Sequence, residues 1–196
     1  MKKFLDYSAR LISQLFQPPL IIGVFLLFLV FYFAPDANKG IIWASIAVGL
    51  VGLAPTIYTI IAYKLHWVKD LWLNDKADRI GPFLIAGLGM IITLLIFFKL
   101  GVPIEVQVFL MALILVLLFL LFITIFWKIS VHAATIMMVV TTINILADCK
   151  FWYLFALVPL VMWARVYRKR HSVAQVCAGA ILSGVIVYAT FKIFGF

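Results

Sequence analysis

The sequence has few of the residues from which soluble and metal-binding proteins are built. Only 12% of its 196 residues are charged, seven are acidic, three are histidine and two are cysteine. Cys149 and Cys177 form no spaced pattern, so they give no basis for a disulfide or a metal site. Because clustered carboxylates are also missing, we expect no metal and no other cofactor.

Apolar residues take the place of the missing charges. They make up 67% of the chain, and the mean hydropathy is +1.22. A soluble domain of this size could not bury so much apolar surface, so the composition predicts an integral membrane protein. The net charge of +9 fits Lys and Arg side chains at anionic lipid headgroups better than nucleic-acid binding, and membrane lipids are the expected partners.

The distribution of apolar residues predicts an all-α fold, a polytopic transmembrane helix bundle of six to seven spans. The apolar segments cover residues 17–33, 41–63, 82–99, 104–127, 133–146, 151–163 and 173 to near the C-terminus. Pro55 is expected to kink the second segment, and the sixth is short for a bilayer about 30 Å thick. We expect a single domain in which residues 1–63 form two N-terminal spans and residues 64–196 form the functional core.

The polar breaks at residues 64–81, 128–132 and 165–171 should meet at one membrane face, because two spans separate each break from the next. Their candidate functional residues are Lys76, Arg79, Ser130, His132, Arg165 and His171, followed by Gln175. If the last helix begins near His171, positions 171, 175, 179 and 183 share one side of it. That side carries His, Gln, Gly and Ser, and the small residues would let another helix come close.

Each candidate residue has a structural explanation when it is taken alone. Ser130 fits a helix N-cap, Arg165 fits a cation at headgroup level, and Gln175 needs a hydrogen-bond partner that His171 could supply. Taken together, two histidines, two or three cations and a helix N-terminus suit phosphoryl transfer. That reaction needs cations for the phosphate oxygens, a nucleophile, and an acid for the leaving oxygen.

The third break resembles the last signature of the type-2 phosphatidic acid phosphatase superfamily, which is Arg, five residues, His, three residues and usually Asp. Arg165 and His171 have this spacing. Gln175 stands at the Asp position and is followed by Val176, which is similar to the dolichyl-diphosphatase and glucose-6-phosphatase branches.

The other two breaks match the family signatures in part. Residues 128–132 resemble Pro-Ser-Gly-His, with Ser130 and His132 in place and Ile129 and Val131 at the Pro and Gly positions. The first signature, Lys, six residues, Arg-Pro, is similar around Arg79. There Ile80 replaces Pro, Trp72 occupies the Lys position, and Lys76 is the nearest substitute.

This resemblance implies an acid-phosphatase/haloperoxidase-like helical core and a metal-independent membrane phosphatase acting on a lipid phosphate or isoprenyl diphosphate. It implies that His171 is the nucleophile and forms a phosphohistidine, that His132 is the acid, and that Gln175 orients His171. It assigns phosphate binding to Arg165, Arg79, Lys76 and Ser130. A non-catalytic member that binds or moves anionic lipids stays open as an alternative, favoured by Val131, Trp72 and the missing Pro.

The orientation in a multi-pass cell membrane is predicted differently by charge and by resemblance. Twelve of the sixteen Lys and Arg residues lie on the side of the three breaks, and four lie on the other side, Lys39, Lys99, Lys150 and Lys192. The positive-inside rule therefore places the breaks in the cytoplasm. The resemblance implies the extracytoplasmic side.

Overall fold

A computed structural model of the protein describes residues 2–71 and 77–196. All regular secondary structure in these ranges is helical, which confirms the predicted all-α class. The α-helices are α1 Lys2–Leu15, α2 Pro18–Phe33, α3 Ala37–Ala47, α4 Ala54–Lys64, α5 Ile80–Lys99, α6 Ile104–Phe126, α7 Val131–Leu146, α8 Leu157–Tyr167 and α9 Val173–Ile193. Short 3-10 turns at Ala77–Arg79 and Trp152–Ala156 lead into α5 and α8.

Every predicted apolar segment forms a helix, but fewer than seven are long enough to span a bilayer. In the described residues four helical stretches have the length and composition of a span, namely Ala37–Lys64, Ala77–Lys99, Ile104–Phe126 and Val173–Ile193. The pair α1 and α2, bent by 47°, would add a fifth. The fifth and sixth predicted segments are the shorter apolar helices Val131–Leu146 and Trp152–Tyr167. The finer expectation of six to seven spans stays a prediction.

Pro55 changes the type of helix ahead of it. A proline inside a helix lacks the backbone N–H and crowds the carbonyl four residues earlier. Here Val48–Leu53, between α3 and α4, is π-helical, and the Ala54 N–H bonds to the Gly49 carbonyl five residues back. The wider turn gives Pro55 a place at the start of α4, within one continuous stretch that is long enough to span a bilayer.

The chain forms two compact units, which are described separately below. Unit 1 comprises Met1–Ile22 and Trp127–Phe196, and unit 2 comprises Gly23–Phe126. In unit 2 the rings of Phe25 and Phe109 meet edge to face with centroids 5.0 Å apart. Gly89 of α5 lies directly against the Leu50 carbonyl, so the π-helical stretch and α5 approach each other closely there. The predicted division into two N-terminal spans, residues 1–63, and a functional core, residues 64–196, is a different division and stays a prediction.

Unit 1 is built on α7, α8 and α9. Its core contains residues from all three helices, Ala133, Ile136, Val140, Val158, Val161, Val176 and Ala180, and Ile12 and Phe16 pack against them. Gly179 and Gly184 of α9 lie against Ser130 and Met137 respectively, so α9 and α7 run in the same direction. Since α8 connects them in the reverse direction, the starts of α7 and α9 and the end of α8 share one end of the unit. We call it the motif end.

Candidate functional site

The start of α7 is fixed by Ser130. This residue has an extended backbone and is the N-cap of α7, as the sequence predicted. Its hydroxyl accepts a hydrogen bond from the Ala133 N–H at 3.4 Å, and the residue is fully buried. The cap places His132 in the first turn of α7, where it is half-buried. The first turn of a helix directs backbone N–H groups outward and attracts anions.

A tight turn after α8 connects Arg165 to His171. The Arg170 N–H bonds to the Arg165 carbonyl at 3.1 Å, and the Lys169 N–H bonds to the Val166 carbonyl at 2.8 Å. This pair of bonds is the Schellman arrangement that ends many helices, and Lys169 occupies its left-handed position with φ of +52°. The reversal brings the half-buried Arg165 and the imidazole of His171 to the motif end. His171 is only 7% exposed.

The start of α9 agrees with the last predicted apolar segment, which begins at residue 173. The helix begins at Val173 after its N-cap Ser172, so His171 lies outside the helix and not on its first turn. Ser172 and Gln175 form a capping box, in which the Ser172 hydroxyl accepts from the Gln175 N–H at 3.3 Å. In return the Gln175 side-chain oxygen accepts from the Ser172 N–H at 3.0 Å. The amide oxygen is therefore bonded to Ser172, and the predicted orienting of His171 by Gln175 stays a prediction.

The starts of α7 and α9 are in direct contact. The Ser130 backbone N–H donates to the Gln175 carbonyl at 3.2 Å. One turn further along α9, a side chain on Gly179 would place its Cβ 2.6 Å from the Ser130 carbonyl oxygen. This confirms that a small residue on this side of α9 admits a neighbouring helix, and it identifies that neighbour as α7. The second and third polar breaks are thus joined through backbone atoms.

The structure places five of the predicted site residues at the motif end of unit 1, namely Ser130, His132, Arg165, His171 and Gln175. Arg79 belongs to unit 2, where it precedes α5, and Lys76 lies outside the described residues. Next to Arg79, the Asp78 carboxylate accepts a hydrogen bond from the Lys69 N–H at 2.9 Å. This bond holds residues 69 and 78 of the first break close to each other. The joining of this break to the other two stays a prediction.

Two charged residues of α1, Asp6 and Arg10, also lie at the motif end, and neither is among the predicted site residues. The Tyr167 hydroxyl donates a hydrogen bond to the Asp6 carboxylate, and partial burial together with this bond raises the pKa of Tyr167. Burial, and after it the positive charges of Arg170 and Arg10, lower the pKa of Arg168. Hydropathy alone does not reveal α1, because the helix mixes charged and apolar residues. Its signal is the helical spacing of Leu5, Ala9, Ile12 and Phe16.

Comparison with known proteins adds no relative to this description. No family model, curated protein or solved structure matches the chain.

Within the described residues, no three His, Cys, Asp or Glu side chains are grouped so that they could hold a metal ion. The arrangement at the motif end therefore consists of imidazoles, guanidinium groups and two helix starts, which together suit an anion such as phosphate.

Proposed function

We propose that the protein is an integral membrane phosphatase that removes phosphate from a lipid phosphate or an isoprenyl diphosphate through a phosphohistidine. The proposal includes an acid-phosphatase/haloperoxidase-like helical core and six to seven spans. It assigns the chemistry to the motif end of unit 1, with no metal ion in the reaction.

One observation carries this proposal above the others, the hydrogen bond between the Ser130 N–H and the Gln175 carbonyl. Residues 130–132 and 165–175 share the motif end because α7 and α9 run in the same direction and α8 runs in reverse, and this bond brings the two segments into direct contact. Their backbone contact places one histidine beside each of two adjacent helix starts, with Arg165 in the last turn of α8. A phosphoryl group bound there would have a nucleophile, an acid and a fixed cation within one small region.

The proposed reaction has two steps. In the first, a lone pair of the His171 imidazole forms a bond to phosphorus while the bond from phosphorus to the lipid oxygen breaks, and protonated His132 gives its proton to that oxygen. In the second, water attacks phosphorus, the phosphorus–nitrogen bond breaks, and His132 takes the proton from water. Arg165 binds the phosphate oxygens through its planar guanidinium group. The family resemblance also assigns Arg79, Lys76 and Ser130 to phosphate binding.

Phosphate release tests the proposal directly. Purified protein in detergent with EDTA is offered phosphatidate and an isoprenyl diphosphate, and inorganic phosphate is measured. We expect release by the wild type and loss of at least about a hundredfold for His171→Ala, the scale typical of a lost catalytic group. His66→Asn is the matched control, because His66 lies in unit 2 with φ of +58° and asparagine tolerates that conformation. Equal release by wild type and His171→Ala would refute the role of His171.

The capping interactions favour a second candidate, a non-catalytic protein that binds or moves anionic lipids. The Ser130 hydroxyl and the Gln175 amide oxygen are both used to start helices. Val131 also stands where the family has glycine, so a side chain occupies a place where backbone would approach phosphate. This candidate predicts saturable lipid binding that Arg165→Ala abolishes, without turnover. Any histidine-dependent release of phosphate would rule it out.

A further inference from the structure

Helix α1 presents three different sides along its length. Ala9 and Ser13 are buried, and Leu5, Ile12 and Phe16 are half-buried on the side that packs along α8. A second side is apolar but exposed, and it carries Phe4, Tyr7, Leu11 and Leu15. The third side carries the exposed polar residues Lys3, Asp6, Arg10 and Gln14. A helix with exposed apolar and cationic sides next to each other is typical of contact with the headgroup region of a bilayer.

The charged side of α1 is attached to the motif end by a specific contact. Asp6 accepts a hydrogen bond from Tyr167, the last residue of α8, and Arg10 follows Asp6 by one helical turn. Arg10 lies close enough to Arg168, which follows α8, for their positive charges to interact. The only carboxylate on this side of α1 is already bonded to a tyrosine. Arg10 of α1 and Arg168 after α8 thus place two guanidinium groups close together.

We propose that Arg10 and Arg168, with Arg170 beside them, bind the phosphate of an anionic glycerophospholipid whose acyl chains lie along Leu11 and Leu15 of α1. Guanidinium groups bind phosphate oxygens through paired hydrogen bonds, and an anion between Arg10 and Arg168 would offset the repulsion between these two cations. Leu11 and Leu15 are exposed one residue and just over one turn beyond Arg10. An anchored headgroup would therefore leave its chains beside apolar surface. This site does not depend on the proposed phosphatase activity.

A lipid fits this surface better than a soluble anion or a protein. A free phosphate would use the arginines but would leave the exposed apolar side of α1 uncovered. An acidic protein would have to cover apolar residues that lead directly into α2, a helix of apolar residues, glycine and proline with one tyrosine. A bilayer phospholipid supplies both a phosphate for the arginines and hydrocarbon chains for the exposed apolar side of α1.

The test is a lipid titration of the purified full chain. Phosphatidylglycerol is added to the protein in detergent, and the apparent melting temperature is followed as a function of its mole fraction. Phosphatidylglycerol is a phosphodiester, so a phosphomonoesterase activity would not consume it. We expect stabilisation by phosphatidylglycerol, little by phosphatidylcholine and none by glycerol 3-phosphate. Equal stabilisation by phosphatidylcholine, or full stabilisation by glycerol 3-phosphate, would overturn the proposal.

Charge variants separate this site from general attraction between a basic protein and an acidic lipid. Arg10→Gln and Arg168→Gln should each raise the half-maximal phosphatidylglycerol fraction about fivefold, the effect of removing one cation near an anionic surface. Lys150→Gln removes the same charge from the exposed turn at the other end of unit 1 and should change nothing. Equal shifts for all three variants would overturn the site. If Arg10→Gln does not fold, Arg168→Gln against Lys150→Gln still decides it.

A variant on the apolar side tests the position of the chains. Leu11→Ser removes exposed apolar surface without removing a charge. It should weaken the effect of phosphatidylglycerol with two long chains and leave that of a short-chain phosphatidylglycerol almost unchanged. His171→Ala should bind phosphatidylglycerol as the wild type does, which keeps this result distinct from the phosphatase assay. Unchanged long-chain binding in Leu11→Ser would contradict the proposed chain position.

Discussion

At the scale of single residues, four of the described helices end with the same backbone conformation but with different residues at its left-handed position. Helices α4, α5, α8 and α9 each end with the same two backbone hydrogen bonds around a residue of positive φ. Glycine fills that position after α5 and α9, as Gly101 and Gly195. After α4 and α8 it is filled by His66 and Lys169, whose Cβ atoms make the left-handed conformation unfavourable. The turn at Lys169, which connects α8 to His171, therefore contains local strain.

Replacing Lys169 by glycine should relieve that strain. The left-handed conformation costs a residue with a Cβ about 1–2 kcal/mol, and part of the gain is lost to the greater freedom of glycine in the unfolded chain. We expect Lys169→Gly to stabilise the protein by about 0.5–1 kcal/mol, measured as a higher apparent melting temperature in detergent. Lys169→Ala is the control, since it removes the same charge and keeps the strain. A similar gain in both variants would show that charge and not backbone conformation is responsible.

Glycine has a different role at position 179, where it allows two backbones to meet. A Cβ there would lie 2.6 Å from the Ser130 carbonyl oxygen, and neither backbone can move aside easily. Gly179→Ala should therefore destabilise the protein by about 1–3 kcal/mol, as overpacking does. Gly184→Ala should cost less, because the neighbouring atoms belong to the flexible Met137 side chain. Gly23→Ala meets no atom within 4 Å and should be neutral or stabilising, so an equal loss at all three positions would contradict this account.

At the scale of the helices, α9 contributes most to the candidate site. Its N-cap, its capping box and its contact with α7 all involve residues 172–179. The predicted bounds of the apolar segments agree with the observed helices to within a few residues, because apolar runs and their polar breaks are local features. The α9 start at Val173 agrees with the last predicted segment, and the capping box of Ser172 and Gln175 leaves His171 just outside the helix.

The capping box makes a prediction about Gln175 that is independent of catalysis. Gln175→Glu keeps an oxygen for the Ser172 N–H and adds a negative charge at a helix start, which favours the helix by about 0.3–1 kcal/mol. Gln175→Ala removes the oxygen and should cost about 1 kcal/mol. Both are measured by thermal unfolding in detergent, with Gln14→Ala on the exposed side of α1 as the neutral control. A Gln175→Ala protein as stable as the wild type would show that the capping box contributes little.

At the scale of the whole chain, unit 1 has a strongly uneven distribution of charge. It contains ten of the sixteen Lys and Arg residues, and eight of them lie at the motif end, Lys2, Lys3, Arg10, Lys128, Arg165, Arg168, Lys169 and Arg170. The remaining two, Lys150 and Lys192, lie at the other end. The positive-inside rule predicts that the richer end lies in the cytoplasm. This agrees with the charge count over all predicted breaks and differs from what the family resemblance implies.

The native cysteines allow this orientation to be measured. Cys149 is exposed in the turn after α7, at the end opposite the motif end, and Cys177 is partly buried in α9. In a Cys177→Ser background, we expect Cys149 to react with a membrane-impermeant maleimide in intact cells. Lys169→Cys, introduced with Cys149→Ser, should react only after permeabilisation. The reverse pattern would place the motif end outside the cytoplasm, on the side the family resemblance implies.

The sequence by itself determined the composition class, the apolar helices and the candidate residues of each polar break, because hydropathy, caps and spacing are local properties of the chain. Only the tertiary structure decided that the starts of α7 and α9 touch through Ser130, Gln175 and Gly179. It also showed that the Gln175 amide oxygen bonds to Ser172, and that α1 joins the motif end through Asp6 and Tyr167. These facts depend on how closely two backbones can approach and on which polar groups then lie within hydrogen-bonding distance. No local pattern in the chain encodes such distances between distant segments.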